Sequence, residues 1–136
     1  MFIRKVVLMI ALGLTCGSAM AEWTKAGRNS NQTYDYYVDN ASIKRKGNIV
    51  KMWHLYDLKT AQADVVDKSK FHLSTKIQNE YDCSEERVRL LAFSNHTKHM
   101  GTGDTVYSDY SVKDDFEAVA PDSINMALLN IACGKQ

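Results

Sequence analysis

After residue 22 the chain alternates apolar and polar positions with a period of two, switching to a period near 3.6 only close to its end. The clearest alternation places Phe71, Leu73, Thr75, Ile77 and Tyr81 on one side and His72, Ser74, Lys76, Gln78, Glu80 and Asp82 on the other. Asn79 is the one break in the apolar side. This pattern predicts a strand over 71–82 with one face on a core and one in water. Similar, shorter runs predict strands at Glu22–Gly27, Thr33–Val38, Ala41–Lys46, Ile49–Lys59 and Arg87–Asn95, with two acidic ones at 107–112 and 115–119. The 49–59 run is apolar on both sides: Ile49, Trp53 and Leu55 oppose Val50, Met52, His54 and Tyr56. Both of its faces are therefore expected to be covered. Arg28–Gln32, Asp39-Asn40, Lys46-Gly47-Asn48 and Gly101–Asp104 read as turns, and Thr60–Ser69 reads as a long polar hairpin connection.

The change of period falls after Pro121-Asp122-Ser123. Ile124, Ala127, Leu128 and Ile131 recur as one helical stripe. Ser123 or Asp122 offers an N-cap oxygen, and Gly134 stands where a left-handed residue often ends a helix. A helix of about three turns is marginal alone in water, so it needs a sheet to lie on. The expected architecture is α+β: a single antiparallel sheet of about six strands with one C-terminal helix.

Composition sharpens the compartment more than the chemistry. Arg4 and Lys5 precede the apolar run Val6–Leu14, and Ala19-Met20-Ala21 follows with small residues at the right spacing. That is an export signal, residues 1–21, cleaved after Ala21, and its apolar run is too short to span a bilayer. Gly13-Leu14-Thr15 before Cys16 fits a lipidation signal poorly. Cleavage leaves 115 residues, 22–136, enough for one domain. No later apolar run is long enough to cross a membrane. Cleavage also removes one of three cysteines. Cys83 and Cys133 remain, and an even pair in an exported domain reads as a disulfide tying the helix to the sheet. A reactive thiol is the alternative, but no Cys-x-x-Cys accompanies it.

The exported part carries 15 basic and 16 acidic residues, a balance without the electrostatic footprint of a nucleic-acid binder. The balance hides a division. Residues 22–76 hold 10 basic and 6 acidic residues, and residues 77–136 hold 5 and 10. Interleaved strands from the two halves are expected to cancel most of that field.

Candidate chemistry is sparse. His96-x-x-His99 with Met100 is the best metal-ligand set, offering two imidazoles and a thioether. An i, i+3 spacing puts the rings on opposite faces of a strand, so they converge only in a turn. His54 and His72 stand alone in strands. Glu85-Glu86 points apart in extended chain, whereas acid–base work needs two groups converging on one substrate. Gly101-Thr102-Gly103 has no helix behind it and reads as a turn rather than a phosphate cradle. No nucleophile elbow is present. The expectation is a non-enzymatic protein without a cofactor, with a periplasmic metal- or small-ligand-binding stress protein as the alternative reading.

Four blocks taken together resemble a known family: Tyr36-Tyr37-Val38-Asp39 with Ser42-Ile43, the strand ending Tyr81-Asp82-Cys83, Met100-Gly101-Thr102-Gly103, and Pro121-Asp122-Ser123 with a helix reaching Cys133. Their order and the cysteine spacing are similar to the surface-adhesin protein E family of exported bacterial proteins, over roughly Trp23 to Gly134. The resemblance implies the same sheet, helix and disulfide, and allows a homodimer through the sheet. It implies a protein partner, a host matrix or serum protein such as laminin or vitronectin, or an envelope protein. The family's binding strand precedes the first disulfide cysteine. Here that is about Asp67 to Asp82, with Lys68, Lys70 and Lys76 as the basic positions, diluted by Asp67, Glu80 and Asp82.

Overall fold

The computed structural model describes residues 21–112 and 114–135. Residues 1–20 of the expected export signal, Cys16 among them, lie outside the described residues. Eight strands and one helix follow in order: β1 (Thr24–Arg28), β2 (Tyr34–Val38), β3 (Lys44–Lys46), β4 (Ile49–Ala63), β5 (Phe71–Asp82), β6 (Arg87–His96), β7 (Thr105–Asp109), β8 (Glu117–Ala118) and α1 (Ile124–Cys133). They form one sheet in the order β1-β2-β4-β5-β6-β7, with β3 on β4 and β8 on β6. Every pairing is antiparallel. Among the described residues no helix is long and apolar enough to cross a membrane.

Several boundaries depart from expectation for local reasons. The Asp39 carboxylate accepts the amide of Ala41 at 3.2 Å and caps a 3-10 turn at Asn40–Ser42, so the strand expected over 41–46 shrinks to β3. Strand β4 continues to Ala63, and the hairpin connection narrows to 64–70. The first acidic strand lies earlier than expected, as β7, and the second shortens to β8.

One face of the sheet carries α1. Tyr36, Val38, Val50, Met52 and Tyr81 pack with Leu128, Leu129 and Ala132 in a single cluster that includes Cys83 and Cys133. Those two cysteines are bonded, with 5.8 Å between their Cα atoms. Ser123 caps the helix by accepting the amide of Met126 at 3.1 Å, and Gly134 ends it at φ 68°. The buried stripe is Leu128, Leu129, Ala132 and Cys133, whereas Ile124, Ala127 and Ile131 are half-buried. The helix is thus turned from the expected stripe, because the bridge requires Cys133 to face the sheet. Two side chains hold the same end: Arg45 donates to the Cys133 carbonyl at 2.9 Å, and Lys135 to the Cys83 carbonyl at 2.7 Å.

The second face of β5, expected in water, is also largely buried. Ser74, Glu80 and Asp82 are 0%, 6% and 6% exposed. Two devices cover it. Toward one end, Glu80 is flanked by Lys51 of β4 and Arg89 of β6, and Asp82 holds Arg87 at 2.7 Å. Toward the other end, residues 97–104 fold back over the sheet as a strap. Met100 donates its amide to Asp57 at 2.9 Å, Gly101 donates to the Ser74 hydroxyl at 2.8 Å, and that hydroxyl donates to the Lys98 carbonyl at 2.6 Å. This explains why Leu55 is fully buried on the face away from the helix. Gly101 has φ 70°, and a Cβ there would run into the Lys76 stem and approach Leu55 at 3.1 Å. Gly101→Ala is expected to cost about 1–3 kcal/mol. A urea midpoint within error of the wild type would contradict a packed strap.

Sheet order follows chain order, so the basic and acidic halves do not interleave as expected. They occupy opposite sides of the sheet and meet at β5, where the Lys51–Glu80–Arg89 row joins them.

Candidate functional site: the tip of the β4–β5 hairpin

The hairpin of β4 and β5 reaches beyond its neighbours and ends in an apolar tip. Val65 and Val66 are 88% and 74% exposed, the most exposed large apolar side chains among the described residues, and Phe71 is 54% exposed. A monomeric surface has little reason to present such a group together. The tip is held in shape rather than loose. Asp64 is buried, and one of its oxygens accepts the amides of Val66 and Asp67 at 2.8 and 3.1 Å. Its other oxygen accepts from Asn95 of β6 at 3.3 Å. These donors hold the Asp64 carboxyl below the usual carboxylate range, the backbone amides contributing most. The backbone closes with Asp64 N–H to the Lys70 carbonyl at 2.8 Å and Lys70 N–H to the Asp67 carbonyl at 3.0 Å. Asp67 in turn accepts the Ser69 hydroxyl at 2.6 Å. Buried Asp64 thus turns the two valines outward. Lys68 and Lys70 are exposed beside them, giving an apolar knob with a cationic flank.

The structure separates the three basic positions. Lys68 and Lys70 belong to the tip, whereas Lys76 lies six residues along β5, about 20 Å by strand rise, and is half-buried under the strap. The histidines are also separated. His96 ends β6 with its Nε2 2.7 Å from the Ser94 hydroxyl. His99 lies in a 3-10 turn of the strap with Nδ1 3.1 Å from Asp57, and Met100 contributes its backbone amide there. Register places Asp57 opposite Ser74 and Ser74 opposite His96, so the backbones of His96 and of Asp57, the partner of the His99 ring, stand two strand spacings apart, about 10 Å. Among the described residues, no three His, Cys, Asp or Glu side chains gather at metal-binding distance.

His54 and His72 are both buried, and the Nδ1 of each has no partner among the described residues. Glu85 and Glu86 are exposed in the β5–β6 turn, and Gly101–Asp104 belongs to the strap. The tip itself was missed in the sequence because 60–69 is polar on average. Its signal was the adjacent Val65-Val66 pair inside that polar stretch.

The known proteins most informative here share this architecture. The solved structure of Haemophilus influenzae protein E superposes with a TM-score of 0.63 at 16% identity, covering 81% of this chain and 83% of that one. A second crystal form of Haemophilus influenzae protein E gives 0.62 at 15%, covering 84% and 97%. Protein E from non-typeable Haemophilus influenzae gives 0.60 at 16%, covering 83% and 77%. At such identities the likeness shows the fold. A search of curated protein sequences finds no match. The sequence profile described as Surface-adhesin protein E matches residues 23–134. That match spans nearly all of the described chain, and the chain belongs to the Surface-adhesin protein E family.

Proposed function

We propose that the chain is an exported, non-enzymatic protein-binding module, cleaved after Ala21, that engages a host matrix or serum protein through the β4–β5 tip. Family membership supports an adhesin-like surface protein. The observation that carries the reading further is the rigid presentation of Val65, Val66 and Phe71 beside Lys68 and Lys70. An exposed apolar knob gains by burial against a partner, and flanking lysines speed approach to an acidic surface. Burying two valines contributes about 2 kcal/mol net, some thirtyfold in Kd. Binding to immobilised laminin and vitronectin is the test. Saturable binding should weaken about thirtyfold in Val65→Ser/Val66→Ser, and should fall with added salt in the wild type more than in Lys68→Ala/Lys70→Ala. Saturable binding that neither variant alters would contradict the tip, and absence of binding to either protein would contradict the proposed partner class.

A further inference from the structure

The face of the sheet away from the helix holds a second concavity that the hairpin tip does not use. Both tryptophans of the chain, Trp23 and Trp53, line it, and Tyr110 completes its wall. With Ala21, which the proposed cleavage removes, still part of its wall, the cleft has a volume of about 320 Å³, and Lys76 and Ser94, register partners on β5 and β6, also line it. The Trp53 and Tyr110 rings stand 6.5 Å apart with their planes at 57°, so they form an open V rather than a stack. Asp39 also lines the cleft; its carboxylate accepts the Ala41 amide and keeps its negative charge.

Lys76 sets the chemistry of the cleft. Of the three lysines on β4 and β5, Lys51 lies 3.9 Å from Glu80 and Lys59 lies 2.8 Å from Asp35. Lys76 makes no ion pair with any described residue. Its stem is packed beneath Gly101 and beside Leu55, which fixes the side chain's course. An ammonium without an ion-pair partner, carried on a packed stem, can offer a charge-assisted hydrogen bond to an anion. By contrast, the larger trough of about 630 Å³ beside Tyr34, Tyr56 and His72 has as its one cation Lys59, which Asp35 already holds.

We propose that this cleft binds the acidic sugar of a glycan, its carboxylate on Lys76 and the flat C–H face of its ring against Trp53 and Trp23. The volume is at the low end for ligand sites, about 300–1,000 Å³, and suits one or two rings. Openness selects the ligand further. Tyr110 is 65% exposed, so one side of any occupant stays in water. A polyhydroxylated ring tolerates that, whereas an aromatic acid gains most from full enclosure. The site is independent of the hairpin tip and stands or falls separately.

The two indole N–H signals are a direct readout, since both tryptophans line the cleft. The purified protein is titrated by NMR with glucuronate, glucose and benzoate. Glucuronate should shift both indole signals saturably in the millimolar range. Glucose should bind at least tenfold more weakly, and benzoate should bind more weakly than glucuronate. Lys76→Met keeps the packed stem and should weaken glucuronate at least tenfold, and Tyr110→Ala, an exposed position, should weaken it at least threefold. Indole shifts absent with glucuronate, equal affinity for glucose, tighter binding of benzoate, or full affinity in both variants would each overturn the proposal.

Discussion

Replacing Cys83 and Cys133 together by serine should lower stability by about 4 kcal/mol, because the bond closes a loop with a sequence separation of 50 residues. In a domain of this size that corresponds to a fall in Tm of roughly 15 °C. The loss should not be uniform. Helix α1 has ten residues and is too short to persist without the sheet. After the bond is gone, its C-terminal end keeps the Arg45 and Lys135 contacts to the Cys133 and Cys83 carbonyls, and Leu128 and Leu129 remain in the core. The double variant should therefore still fold, with amide exchange accelerated most over 128–133. Unchanged Tm and unchanged protection there would contradict the role assigned to the bridge.

Acidification should destabilise the protein before its carboxylates titrate. His54 is 1% exposed, flanked in register by Val38 and Ile77 and set edge-on to Tyr56 at 5.2 Å. Burial pushes its pKa down to about 3, against about 6.5 in the unfolded chain. Above pH 6.5 both states hold a neutral ring and the effect is absent. As pH falls below 6.5, the unfolded chain takes up a proton that the folded one refuses, so stability declines until the folded ring itself titrates. The loss reaches about 4 kcal/mol by pH 3.5 at 1.36 kcal/mol per unit. His72 and His96 are pushed down mainly by burial as well and add in the same direction. The paired carboxylates act later. Arg28 and Lys59 hold Asp35 far below its usual range, and Arg87 holds Asp82 at about 2, so their stabilisation is lost only below about pH 4. Urea titrations of the wild type and His54→Leu between pH 7 and 4 separate these effects. The variant should lose about one proton's worth of slope, and identical slopes would contradict the account of His54.

Much of this architecture was legible because one periodicity dominates each segment. The alternation over 71–82 marked β5 to the residue, and Ser123 with Gly134 marked both ends of α1. The double-sided apolar pattern of 49–59 anticipated that β4 is covered on both faces. What alternation could not convey is the strap. Nothing local in Ser74 or Asp57 says that residues 98–101, distant in sequence, will bring amides and a carbonyl to them. For the same reason alternation alone leaves the polar face of β5 in water, although cross-strand ion pairs bury Glu80 and Asp82. Register also decided the site. Lys68, Lys70 and Lys76 read as one basic segment in the chain, yet a turn and a strand put them in different surroundings. The tip depends on Asp64, an acidic residue whose sequence context resembles any polar loop.

The β4–β5 tip is the surface proposed to meet a protein partner. Hydrogen exchange with and without saturating laminin or vitronectin tests it most directly. Slowed exchange should concentrate at residues 64–71 and diminish in Val65→Ser/Val66→Ser. Protection confined to other strands, with 64–71 exchanging as in the free protein, would contradict it.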